Sequence, residues 1–268
     1  DGSLEGYVVA FEDVTDLVSA QRMAAWGDVA RRIAHAIKNP LTPIQLSAER
    51  LRHKCLGRLD EDLARVLDRS THTIIQQVEA MKTMVNAFSD YAKPSQMQPE
   101  PMMLDALVNE VLDLYEGLPV PLRFHPDAAE IHVDADPVRL RQVLHNLIKN
   151  AQEAVTGQDN GRVDVYTTTG YKNDCQYAEI QVLDNGHGFD PEQLGRVFEP
   201  YVTSKEKGTG LGLAIVKKII DEHGGIIWAY NQDAGGGRVV IRLPVLSDPT
   251  SRAACDRMSR KQPRNHTA

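Results

Sequence analysis

At 268 residues, with 42% hydrophobic and 25% charged side chains, the chain has the makeup of a globular protein with two domains of ordinary size. Its formal net charge of −7 argues against nucleic acid as the main partner, because phosphate binding needs a basic face. Cys55, Cys175 and Cys255 stand far apart, without CxxC spacing, which fits free thiols in a reducing compartment and gives no metal site.

The chain opens on DGSLEG without a methionine, so an excised fragment is expected. It carries no secretory signal, and no apolar run approaches the length of a membrane span. The stretch YVVAFEDVT, ending at Thr15, alternates like a strand that needs partners from elsewhere. From Asp16 the period changes. Trp26, Ala30, Ile33, Ile37, Leu41, Ile44, Ala48, Leu51 and Cys55 recur at spacings of three and four, the seam of a long packed helix. After Gly57 a second stripe runs through Leu63, Leu67, Ser70, Ile74, Val78, Met81, Val85 and Phe88. Two such helices make an antiparallel hairpin spanning 16–92. A lone hairpin leaves much of its seam bare, so pairing with a second copy into a four-helix bundle is expected.

The proline-bearing segment 93–101 reads as a linker. Beyond it, helices are predicted over Leu104 to Tyr115, over Pro137 to Val155 with Asp136 as N-cap, and over Leu211 to His223 before two glycines. Strands are predicted at Arg162 to Thr168, Ala178 to Leu183, Ile226 to Tyr230 and Arg238 to Leu243. The fold class is therefore α+β, a helical hairpin followed by an α/β sandwich over 102–246. The polar tail 247–268 reads as disordered.

The chemistry gathers in four places. In RRIAHAIKNPLTPIQL, His35 falls two residues after seam position Ile33, about 200° around the helix, so its imidazole is expected to face solvent. Pro40 and Pro43 each remove a helical donor just beyond it, which predicts a bend. A solvated surface histidine would look the same. In HNLIKNAQEA, Asn146 and Asn150 share a helix face beside Lys149; amide oxygens suit Mg²⁺ and a lysine suits phosphate. In LDNGHGF, Asp184 ends a strand and can accept from an exocyclic amine, while Gly186 and Gly188 permit close approach of a flat base. In KGTGLGLAIVKKI, Gly208, Gly210 and Gly212 precede a helix N-terminus, an anion site with a mobile cover. Each is ambiguous alone; the order of all of them is not.

Together they resemble the two-component sensor histidine kinases, from about Phe11 to Leu243. HAIKNPLTP is similar to the phospho-acceptor box, NLIKNA to the N box, and DNGHG to the first glycine box. FEPYVTSK is similar to the F box, GTGLGL (Gly208 to Leu211 and Gly212, with Thr209) to the second glycine box, and Gly235 to Gly237 to a weaker third. Within the family, the runs around His35 and FEPYVTSKEKGTGLGLAIVKKI resemble the NtrY-like nitrogen-regulation branch. The resemblance implies a dimeric hairpin bundle joined to a Bergerat-type ATP-binding domain, with residues 1–15 the end of a truncated PAS-type sensor. It implies ATP and Mg²⁺ as cofactors, a response regulator receiver domain as partner, and a cytoplasmic portion of an inner-membrane-anchored parent. His35 would accept the γ-phosphoryl group, Asn150 with Asn146 would hold Mg²⁺, and Asp184 would read adenine. Phe198 would anchor the lid formed by Gly208 to Gly212, and Lys205 would reach phosphate. Asn39 would support dephosphorylation of the regulator.

One position departs from the family pattern. The residue after the phospho-acceptor is normally acidic; here it is Ala36. That lost base position predicts a chain that binds ATP–Mg²⁺ but autophosphorylates poorly. A catalytically silent, nucleotide-binding dimeric scaffold or phosphatase is the alternative.

Overall fold

A computed structural model describes residues 15–92, 97–117, 119–172, 175–205 and 208–245. The opening YVVAFEDVT, apart from Thr15, and the polar tail lie outside them. The chain divides into two compact units at Pro94 and Ser95.

The first unit is the hairpin. Helix α1 spans Thr15–Cys55 and runs on through Pro40 and Pro43. Leu56–Arg58 form a 3₁₀ turn, and α2 spans Glu61–Ala92. Basic residues Arg52, His53 and Lys54 close α1, and acidic Glu61 and Asp62 open α2, each sign suited to its end of the helix dipole. Asp60 Oδ1 accepts the amide of Leu63, capping α2.

Ala30, Ala34, Leu41 and Ala48 of α1 are buried together with Thr71, Val78, Val85 and Ala92 of α2. Small residues on α1 let the helices approach closely. Across the hairpin, Arg52 pairs with Asp68 at 2.6 Å and Lys82 Nζ donates to Gln45 Oε1 at 2.6 Å. Only part of the predicted seam is buried inside this unit. Ile33, Ile44, Leu51, Leu63, Ile74 and Met81 stay 40–55% exposed. Two helices can enclose one narrow stripe between them, and a seam as wide as this one needs more neighbours.

The second unit holds a five-stranded sheet in the order β2-β4-β5-β7-β6 and a small ladder, β1-β3. The strands are β1 (Glu100–Met103), β2 (Leu122–His125), β3 (His132–Ala135), β4 (Val163–Lys172), β5 (Cys175–Asp184), β6 (Ile226–Asn231) and β7 (Gly237–Pro244). β2 runs parallel to β4, and the other neighbours in the sheet are antiparallel. The helices are α3 (Leu104–Asp113), α4 (Pro137–Ala154) and α5 (Gly212–Glu222). The four predicted strands and three predicted helices are present with ends shifted by a few residues. β1, β2 and β3 are additions, and β1 begins at Glu100, inside the stretch read as linker.

The sheet alternates as a one-sided layer should. Val163 and Val165 of β4, Ala178, Ile180 and Val182 of β5, and Val239, Ile241 and Leu243 of β7 are buried. Leu104, Val108, Leu140, Leu144, Ile148, Ile219 and Ile220 supply the helical half of this core. Each such side chain, fully buried, contributes about 1.5–3 kcal/mol. α4 packs against both α3 and α5 and lies on β5, which fixes the face it offers to the site.

Its start is tied down. Asp136 Oδ1 accepts the amide of Arg139 at 3.1 Å, its Oδ2 accepts that of Gln98 at 3.0 Å, and Pro137 follows at N1. The Asp136 amide itself donates to His223 Nε2 at 3.0 Å. His223 Nδ1 lies 2.7 Å from the Ile219 carbonyl, which can only accept, so Nδ1 carries the proton. The end of α5 is thereby joined to the start of α4, with Arg139 and Glu222 paired alongside at 3.0 Å.

Candidate functional site

Asp184 is the last residue of β5 and takes the place in the alternation that faces the helices. Its Oδ1 accepts two amides, Gly186 at 2.9 Å and Gly237 at 3.1 Å. No described residue donates to its Oδ2. Burial pushes the carboxyl above its usual range, although the two amides and the charges of His187 and Lys205 oppose that shift.

The backbone around it leaves no room for a side chain at Gly186 or Gly236. A Cβ on Gly186 would come within 2.3 Å of the Ala154 carbonyl at the end of α4. Gly236, at φ +96°, would put a Cβ 1.9 Å from the Asp184 carbonyl. The strand end, the 185–189 loop, the 235–237 turn and the end of α4 thus converge on one carboxylate. Two residues that sequence reasoning missed hold this arrangement. Asn231 accepts the Phe189 amide and donates to the Phe189 carbonyl, both at 2.7 Å. Gln232 Nε2 donates to the Asp184 main-chain carbonyl at 2.8 Å. Only the run of glycines behind them hinted that this turn matters.

One turn back along α4 lies a second corner. A Cβ on Gly212, at the start of α5, would sit 3.6 Å from Asn146 Oδ1 and 3.9 Å from Asn150 Nδ2, so both amides face the glycine-rich entry to that helix. Lys205 Nζ donates to Asn150 Oδ1 at 3.4 Å and pairs with Glu153. Glu153 is a further residue that the sequence did not single out. Among the described residues no group of three or more His, Cys, Asp or Glu could hold a metal. A cation at this corner would have amide oxygens as protein ligands, with the Glu153 carboxylate committed to Lys205, and would need anionic oxygens from elsewhere. That donor set fits Mg²⁺ carried on phosphates.

The segment leading to α5 doubles back on itself. The Tyr201 amide donates to the Gly210 carbonyl at 2.9 Å, with Tyr201 at φ +67° and Gly210 at φ +65°. A Cβ on Gly210 would lie 2.5 Å from the Tyr201 carbonyl carbon, so glycine is required there. The Gly208 amide donates to the Lys205 carbonyl at 3.1 Å, and Thr209 Oγ1 accepts the buried Leu211 amide at 3.3 Å. Gly188 has φ +71° and packs against Asn231. Phe198 is half-buried ahead of this segment, and Lys149 is exposed on α4.

In the helical unit His35, Ala36 and Asn39 are all exposed on α1, while Ala34 is buried. Ala36 also borders a long apolar groove with Ile37, Pro40, Leu41 and Ile44 of α1 and Ile74, Val78 and Met81 of α2.

Comparison with known proteins matches residues 25–96 to the His Kinase A (phospho-acceptor) domain. Residues 135–247 match the histidine kinase-, DNA gyrase B- and HSP90-like ATPase family. The nitrogen regulation protein NtrY of Azorhizobium caulinodans is 41% identical over 259 residues, 91% of this chain and 32% of its own length. A sensor histidine kinase NtrY-like protein of Rickettsia conorii is 37% identical over 230 residues, 85% of this chain and 37% of its own. Among solved structures, histidine kinase ThkA in complex with response regulator protein TrrA aligns with a TM-score of 0.60 at 28% identity, over 90% of this chain and 70% of that one. The chain belongs to the two-component sensor histidine kinases. Those two curated relatives are an NtrY and an NtrY-like protein, and this chain spans about a third of their length. No helix among the described residues is long and apolar enough to cross a membrane.

Proposed function

We propose that this chain is a kinase core that binds ATP with Mg²⁺ in its second unit, transfers the γ-phosphoryl group to His35, and passes it to an aspartate of a response regulator receiver domain. The observation that carries the reading is Asp184, whose Oδ1 is taken by two glycine amides while Oδ2 keeps its lone pairs for a donor such as the adenine amine. Gly186 and Gly188 shape the base pocket. Asn146 and Asn150 would hold Mg²⁺, which when bound offsets phosphate charge. Lys205 and the amides of Thr209, Gly210 and Gly212 lie in one glycine-rich segment suited to phosphate oxygens, and the amides of Gly208 and Leu211, bonded within that segment, would hold its turn. Phe198 would anchor that segment, and Lys149 remains a candidate for a phosphate contact from α4.

The transfer forms a bond between phosphorus and an imidazole nitrogen as the bond from phosphorus to the β,γ-bridging oxygen breaks. ADP leaves, and the imidazole proton passes to solvent. Positioning and charge neutralisation dominate such a step. The exposed imidazole of His35 suits an acceptor that must meet two partners in turn, the nucleotide and the regulator. Asn39, one helical turn on and also exposed, would orient the water that dephosphorylates the regulator. The ThkA complex with its regulator supports the receiver partner. Incubation with radiolabelled ATP is expected to give acid-labile label that disappears in the His35→Gln variant; label that persists there would overturn the assignment.

We also propose a homodimer, and a parent anchored in the inner membrane through segments outside this chain, with this portion cytoplasmic. The exposed apolar stripe through Ile33, Ile44, Ile74 and Met81 supports the dimer. The thermal midpoint of the hairpin is expected to rise with protein concentration, and Ile74→Glu with Met81→Glu to give monomers by light scattering. A concentration-independent midpoint would count against it. Ala36 favours a second reading, a silent scaffold that binds nucleotide and docks the regulator.

A further inference from the structure

We propose that Glu153 is a specificity-determining residue that makes the nucleotide site favour metal-loaded over metal-free triphosphate; this rests on the proposed ATP site. Three observations meet at one corner. Lys205 Nζ reaches Asn150 Oδ1 at 3.4 Å, so an ammonium already faces the amide oxygen assigned to the metal. The same ammonium pairs with Glu153. Glu153 stands three residues after Asn150 on α4, on the same face of the helix, and is itself exposed.

In this arrangement the lysine is an internal cation at the metal corner, and its charge is committed to the Glu153 carboxylate. A metal-free triphosphate that draws Lys205 onto its oxygens leaves Glu153 uncompensated beside a highly charged anion. The repulsion is short-range and only partly screened, because neither partner of the pair is fully exposed to water. A triphosphate arriving with a divalent cation brings the missing positive charge with it. Lys205 can then turn to phosphate with the carboxylate facing a smaller net negative charge. Glu153 thus acts more strongly against the bare anion than against its metal complex.

The test is calorimetric titration of the full chain with ATP in a chelator, ATP with Mg²⁺, and AMP. Glu153→Gln is expected to tighten metal-free ATP more than ATP–Mg²⁺, lowering the ratio of the two dissociation constants about three- to tenfold. Lys205→Met, which strands the carboxylate, is expected to move that ratio the opposite way. Loss of folding cannot produce opposite shifts. An unaltered ratio in Glu153→Gln, or a selective weakening of ATP–Mg²⁺ that would mark Glu153 as a metal ligand, overturns the proposal. Parent protein that binds ATP–Mg²⁺ but shows either result leaves the kinase reading standing. Parent protein that binds no nucleotide overturns both.

Discussion

Replacing Ala36 by glutamate is expected to raise the rate of label incorporation at His35 by on the order of 10²–10⁴, the range that a positioned acid–base group contributes. The physical reason is the imidazole's second nitrogen. As phosphorus bonds to one ring nitrogen the ring becomes cationic, and its remaining proton needs an acceptor. A methyl group supplies none. Ala36 is exposed on α1 at the border of the apolar groove, so a longer side chain has an outward course into water beside it. A glutamate at 36 would also stand four residues after Arg32, within reach of an ion pair, so the helix has no reason to weaken. ATP affinity is expected to stay as it was, since Ala36 belongs to the helical unit and the candidate nucleotide site to the other. Initial rates of acid-labile label in the two chains decide the matter. Equal and substantial rates would mean that the kinase manages without a carboxylate beside its histidine. Equal and negligible rates, with ATP still bound, would favour the scaffold reading.

Whether a feature was legible depended on how local its cause is. The start of α4 could be read because Asp136 and Pro137 act within one helical turn. The four longer strands could be read because their alternation runs for six residues or more. β1, β2 and β3 have four residues each, and β1 contains Pro101, so neither period nor propensity marks them. Their existence depends on partners distant in the chain, β1 on β3 and β2 on β4. The hairpin seam was legible as a stripe but not in its division. Ala34 and Thr71 are buried where Ile33 and Ser70 were expected, because helix rotation is set by the partner helix rather than by the size of the side chains. At the candidate site the glycine boxes and asparagine pair announced themselves by spacing. Asn231, Gln232 and Glu153 did not. Their bonds reach across 42, 48 and 52 positions, to Phe189, Asp184 and Lys205.

Asp184→Asn separates base recognition from folding, and is expected to cost on the order of 10²-fold in ATP affinity without lowering the thermal midpoint at neutral pH. The two amides of Gly186 and Gly237 both point at Oδ1, an atom that asparagine retains. The changed atom is the one at Oδ2, where an acceptor becomes a donor and meets the adenine amine with like polarity. The stability side follows from burial, which raises the folded-state pKa of this carboxyl above its unfolded value. With the pKa raised on folding, the folded protein disfavours the charged form. The resulting destabilisation is absent below the unfolded pKa, where both states are protonated, and grows as pH rises through the window to the folded pKa. At neutral pH the parent carries that cost and the asparagine variant does not. The variant's midpoint is therefore expected to match or exceed the parent's at pH 7, with the gap closing as pH falls towards about 4. Asp184→Ala, by contrast, strands both amides and is expected to lower the midpoint at every pH. Titration calorimetry and thermal melts across pH distinguish these outcomes: an asparagine variant that keeps full ATP affinity removes Asp184 from base recognition, and one that melts well below the parent at pH 7 makes its charge structural.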